Sequence, residues 1–170
     1  MVALEKAVRL EFTEVQQFDQ TIGLLDRSVQ EMRRVAHHLM PDALMRFGLQ
    51  PAINDFCLSL PRPVQFDYYG EGTRLNPQIE VMIYSTILEL VNNALKHAAA
   101  ENIIVQIVQD ADRIAFDVQD DGCGFDPSLS AAGMGLQNVR TRVAAFNGIL
   151  HIDSRPDEGT EIHVELKVES

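Results

Sequence analysis

Basic residues are scarce in this chain: 14 lysines and arginines stand against 25 aspartates and glutamates over 170 residues, a net charge of -11. Holding a nucleic-acid backbone requires an excess of positive charge, so nucleic acid is excluded as a general partner and any phosphate bound here must be held locally. Long apolar runs are missing too. None approaches the roughly 18 to 20 residues of a membrane span, and the N-terminus lacks the basic-then-apolar pattern of a signal peptide. The segment is therefore expected to lie in the cytoplasm and to make no membrane contact. Cysteine is limited to Cys57 and Cys123, isolated thiols without metal-ligand spacing, which suggests neither a disulfide framework nor a zinc site. There is no internal repeat and no low-complexity tract. What is present, at 46% hydrophobic residues, suffices for one sizeable core or one compact domain with a helical appendage.

Apolar residues at Val15, Phe18, Ile22, Leu25, Val29, Met32, Ala36 and Leu39 alternate spacings of three and four. This heptad seam predicts a long helix buried against other helices in a coiled coil or bundle. Extending it backwards meets Leu4 and Val8 and then the misfit Glu11. Pro41 ends the helix, and the interval 41–63, broken at Gly48 and Pro51, reads as a junction to a second unit at 64–170. In that unit Val64 to Tyr69 alternates like an edge strand, and Asn76-Pro77 opens a helix to Ala98 with an N-cap and proline at its first position. Strands are expected at Ile103 to Val108 and Arg113 to Val118, a helix at Leu136 to Phe146, and closing strands at Ile149 to Ile152 and Glu161 to Val168. The mixture predicts an α/β sandwich, one sheet with helices on one face.

Three stretches carry chemistry. On the helix, Glu89, Asn93, Lys96 and His97 stand at i, i+4, i+7 and i+8, which groups them on a face expected to lie opposite the core stripe. Asn93 offers a hard oxygen of the kind magnesium accepts beside water and phosphate, and Lys96 suits a phosphate. Asp120-Asp-Gly-Cys-Gly follows a strand, where Gly122 and Gly124 allow a sharp turn and Asp120 can accept a hydrogen bond from an exocyclic amine such as that of adenine. The oxygen spacing of a calcium-binding EF-hand is absent. Gly133-Met-Gly135 leads directly into a helix whose N-terminal amides attract anions, as a lid over phosphates would. His151 and His163 fall in strands and read as structural or exposed.

The order Glu89 to Asn93, Asp120-x-Gly122-x-Gly124, Gly133-x-Gly135 and Gly159-Thr160 resembles the motifs of the GHKL ATP-binding fold shared by histidine kinases, Hsp90, type II topoisomerases and MutL. The stretch from Met32 through His37-His-Leu-Met-Pro41 to Leu49 resembles the end of the second dimerisation helix of two-component sensor histidine kinases of the DesK/NarX-like subfamily. The resemblance, over about residues 16 to 168, implies a Bergerat-type α/β sandwich preceded by a bundle-forming helix. It assigns Asn93 to magnesium, Asp120 to the adenine amino group, Gly122 and Gly124 to the adenine pocket, Lys96 and His97 to the phosphates, Gly133 and Gly135 to the lid, and Thr160 to support of the adenine site. Glu89 occupies the general-base position of ATP-hydrolysing members.

By the same resemblance, the γ-phosphate of Mg-ATP passes to a histidine and onward to a response regulator receiver domain, in a homodimer formed through the helical region of a parent protein that can be membrane-anchored. One departure stands out. The phosphoacceptor motif, resembling Arg-Glu-Leu-His-Asp, does not occur, so residues 1–40 are expected to be a partial dimerisation region. Leu39 follows His38 where the motif has an acidic residue, so neither His37 nor His38 is expected to accept phosphate. The alternative is a GHKL module, related to anti-sigma factors, that uses nucleotide to regulate binding to a partner.

Overall fold

The computed structural model describes residues 42–127 and 134–168. The heptad seam, His37, His38 and Gly133 lie outside these residues.

Five strands form one mixed sheet in the order β1-β2-β3-β5-β4, with β1 at Val64–Tyr69, β2 at Ile103–Gln109, β3 at Arg113–Asp120, β4 at Ile149–Ser154 and β5 at Thr160–Lys167. β1 runs parallel to β2 and every other pair is antiparallel. A parallel pair cannot be closed by a tight turn, and here the long helix Pro77–Asn93 supplies the crossover. Alternate residues in the three inner strands face the helices and are buried: Ile103, Val105 and Ile107 in β2, Ile114, Phe116 and Val118 in β3, and Ile162, Val164 and Leu166 in β5. The intervening positions form the other face. There Asp117 and His163 sit opposite one another in the β3–β5 register, with Nδ1 of the imidazole 2.6 Å from Oδ1 of the carboxylate.

The long helix starts where the Asn76 side chain accepts a hydrogen bond from the Gln78 amide, with Pro77 in the first turn, where no backbone donor is lost. Its buried surface is wider than one stripe. Met82, Ile83, Tyr84, Thr86, Ile87, Leu88, Leu90 and Val91 are all buried, because the sheet, helix Leu49–Leu58 and helix Met134–Ala145 pack around it. The polar residues near its end are therefore a strip between buried neighbours, not a face opposite the core as the spacing suggests.

The compact unit that holds the sheet begins at Asp42. Helices Asp42–Phe47 and Leu49–Leu58, in the interval read from sequence as a junction, contribute Leu44, Leu49, Ala52, Ile53, Phe56 and Cys57 to its core. Pro51 does not break the second helix, since it lies in the first turn, where its missing N–H has no intrahelical acceptor to lose. Arg74 ties the segment before the long helix to Glu80 through two bonds of 2.8 Å, and Glu80 also accepts from the Leu75 amide. Glu80 is buried and Arg74 is half-exposed. Removing the guanidinium strands a carboxylate in the core, so Arg74→Ala is expected to lower the urea midpoint of unfolding.

Candidate functional site

A cavity of about 590 Å³ opens between the C-terminal end of the long helix and the adjoining ends of β3 and β5. Its size falls within the roughly 300 to 1,000 Å³ of small-molecule pockets. Sheet register builds the floor. In the β3–β5 ladder Val118 lies opposite Ile162, and Asp120 lies opposite Thr160, so an apolar row and a polar row follow one another on the helix-facing side. Side chains in a strand alternate, which turns Asp120 into the cavity and Asp121 away from it. Asp121 instead accepts from the Glu101 and Asn102 amides and from Asn102 Nδ2, at 2.7 to 2.9 Å. Those bonds hold its carboxyl below the usual carboxylate value.

Asp120 is half-buried, and its Oδ1 accepts from the Gly122 amide at 2.9 Å. Burial raises its pKa above 3.8, the Gly122 bond opposes the rise, and the neighbouring Asp121 charge adds to it. The loop after β3 is fastened on both sides: the Cys123 amide donates to the Ala98 carbonyl at 2.8 Å, and the Asp157 amide donates to the Cys123 carbonyl at 2.7 Å. Gly122 makes the first approach possible, because a Cβ there would fall 2.2 Å from the Ala98 carbonyl oxygen. It packs against the helix end without lining the cavity, whereas Gly124 does line it.

At the cavity's other wall the helix passes into a π turn over Ala94–Ala98 and ends on Ala99 with φ 51°. No residue pattern announces this turn. It interrupts the 3.6-residue period on which the spacing argument for Lys96 and His97 rested, yet all four predicted residues, Glu89, Asn93, Lys96 and His97, border the cavity. Glu89 and Asn93 are half-buried, and Lys96 and His97 are exposed at the mouth. Asn92, next in sequence, turns its amide back to the Leu88 carbonyl at 2.8 Å. Gly135 closes over the pair, where a Cβ would lie 2.5 Å from Glu89 Oε1 and 3.4 Å from Asn93 Oδ1.

Sequence reasoning missed the apolar lining, including Leu90, Ala94, Phe125 and Leu136, and it missed Ser154, whose hydroxyl lies behind Thr160. These lining residues come from two helices and a loop that meet only when the helices pack on the sheet.

The family model described as histidine kinase-, DNA gyrase B-, and HSP90-like ATPase matches residues 78–170. The chain belongs to this ATPase family. Among similar proteins are the signal transduction histidine-protein kinase/phosphatase DegS of Brevibacillus brevis, 27% identical over 85% of this chain and 39% of its own length, and the sensor histidine kinase MctS of Rhizobium johnstonii, 31% identical over 80% and 31%. The sensor protein VraS of Staphylococcus aureus is 30% identical over 86% of this chain and 44% of its own length. The chain thus spans less than half of each of these relatives. Its fold is that of a blue-light activated histidine kinase of Erythrobacter litoralis, with a TM-score of 0.56 at 17% identity over 69% of this chain and 41% of that one. Among the described residues no helix of this ATPase domain is long and apolar enough to cross a membrane.

The two thiols differ sharply in environment. Cys57 is buried, which pushes its thiol up to about 11, while Cys123 is exposed beside the cavity. At pH 8 a thiol reagent is expected to modify Cys123 quickly and Cys57 only in denaturant, a difference that peptide mass mapping checks.

Proposed function

We propose that this chain is the ATP-binding catalytic part of a two-component sensor histidine kinase of the DesK/NarX-like subfamily, passing the γ-phosphate of Mg-ATP to a histidine and onward to a response regulator. The observation that carries the reading is the convergence of Glu89, Asn93, Lys96 and His97 with Asp120 and Thr160 on one cavity. Asp120 accepts from the adenine amino group, and Thr160, its partner across the ladder, supports the same end. Val118, Ile162 and Leu90 give the base an apolar bed. At the opposite wall, Lys96 and His97 face the phosphates.

The residues present fit magnesium. Glu89 and Asn93 offer hard oxygens one helical turn apart, and Gly135, packed over them, brings no side chain against them. Magnesium takes most of its oxygens from phosphate and water, so these two side chains can be enough. When bound, the ion would neutralise phosphate charge. The chain's own contribution is alignment: base and phosphates are held in fixed relation for an imidazole supplied from elsewhere in the dimer, where phosphoryl transfer gains most. Glu89 is a contact at the phosphate end, placed to orient the incoming group. Dimerisation of the parent protein supplies the accepting histidine.

Incubation with labelled Mg-ATP is expected to leave this chain unlabelled, because no acidic residue follows either His37 or His38. A longer relative carrying the Leu-His-Asp helix is expected to be labelled in trans. Acid-labile phosphate on His37 or His38 would overturn the assignment of the acceptor, and ATP binding without any transfer would favour a nucleotide-regulated binding module.

A further inference from the structure

Ser154, the last residue of β4, is 7% exposed and stands behind the cavity wall. Three groups meet its Oγ: the Phe125 amide at 2.9 Å, the Gly159 carbonyl oxygen at 3.0 Å and Thr160 Oγ1 at 3.0 Å. Phe125 belongs to the loop after β3 and Thr160 opens β5, so one hydroxyl joins the two segments that flank Asp120. We propose that Ser154 is a positioning residue for the adenine end of the site, acting through Thr160. The proposal rests on the reading of the cavity as an ATP site.

A hydroxyl has one proton and two lone pairs. The Phe125 N–H occupies one lone pair. If the Ser154 proton goes to the Gly159 carbonyl, the second lone pair accepts the Thr160 proton, and Thr160 then offers only acceptor capacity to the cavity. If the Ser154 proton goes to Thr160, the Thr160 proton is released to donate into the cavity. Ser154 thus lets Thr160 serve a nucleobase edge as either acceptor or donor, the second arrangement taking the Ser154 proton from the Gly159 carbonyl. Without it the Phe125 amide loses its acceptor and the Thr160 hydroxyl its orientation.

The test is a double-mutant cycle on the full chain, reading the dissociation constant of Mg-ATP together with the melting temperature of the free protein. Ser154→Ala is expected to weaken ATP about tenfold. Ser154→Cys, which keeps a weak donor and acceptor, is expected to lose about threefold and carries the test if the alanine variant does not fold. Ser154→Ala combined with Thr160→Val is expected to bind within about twofold of Thr160→Val alone, an effect that general loosening would not produce. Wild-type affinity in both Ser154 variants, or losses that simply add in the double variant, would overturn the role of Ser154 and leave the ATP reading intact. Absence of ATP binding by the wild-type chain would overturn both.

Discussion

Asp120→Asn is expected to weaken ATP binding by about two orders of magnitude, the largest loss from any single site substitution that keeps the size of the side chain. A charged acceptor meeting an exocyclic amine inside a half-buried wall is worth up to about 3 kcal/mol. The amide that replaces it can turn a donor toward the same amine. Isothermal titration against wild type measures the loss, and equal affinities would remove Asp120 from the site.

The pH dependence separates binding from stability. Burial holds the Asp120 carboxyl above 3.8, so the folded chain retains this proton to higher pH than the unfolded chain does. Its ionisation therefore costs stability as pH rises from the unfolded value through the folded one, and the cost persists at neutral pH. Asp120→Asn, which keeps an oxygen for the Gly122 amide, is expected to melt no lower than wild type at pH 7. Binding has the opposite sign, because only the carboxylate is a pure acceptor. ATP affinity is expected to fall as pH is lowered through the raised value, and the asparagine variant to show no such fall. Asp121, held below its usual value, contributes stability that is present at neutral pH and lost as pH falls through its lowered pKa.

Gly124→Val is expected to destabilise the domain by about 3 kcal/mol or more, and to abolish ATP binding in whatever fraction remains folded. Gly124 has φ 53°, a region that β-branched residues avoid. A Cβ there would lie 2.0 Å from the Arg155 carbonyl oxygen and 2.6 Å from that of Gly159. Both are backbone atoms of the β4–β5 turn, so no side chain can move aside to relieve the overlap. The loop after β3 would have to leave that turn, taking with it the Phe125 contact to Ser154. Urea unfolding and ATP titration together check the outcome, and a variant with wild-type stability would show that the two loops do not pack as described.

Much of the domain is legible without coordinates. Alternation in Ile103 to Val108 and Arg113 to Val118 marks strands because a sheet buries every second side chain, and Asn76-Pro77 marks a helix start because the cap and the fixed φ of proline act locally. The glycine pairs announce close backbone approach, which only a residue without Cβ allows. Boundaries were less accurate. The patterns place each of the four strands from β2 to β5 within two residues of its observed ends, whereas they break helix Leu49–Leu58 at Pro51.

What the sequence by itself determined is the set of local choices: which residues turn, which alternate, which cap a helix, and which short polar motifs occur in a set order along the chain. Those depend on neighbours a few bonds away. The motif order singles out Asp120, but only the tertiary structure gives the reason it and not Asp121 faces the cavity: the register Asp120↔Thr160 pairs it with a strand forty residues away. It alone set the π turn at Ala94–Ala98, which no residue preference demands and which ends where the loop after β3 packs on the Ala98 carbonyl. It alone put Ser154 behind Thr160. A side chain's partners across a sheet follow from how the strands align to bury their apolar face, a condition satisfied by the whole core at once and written in no single segment.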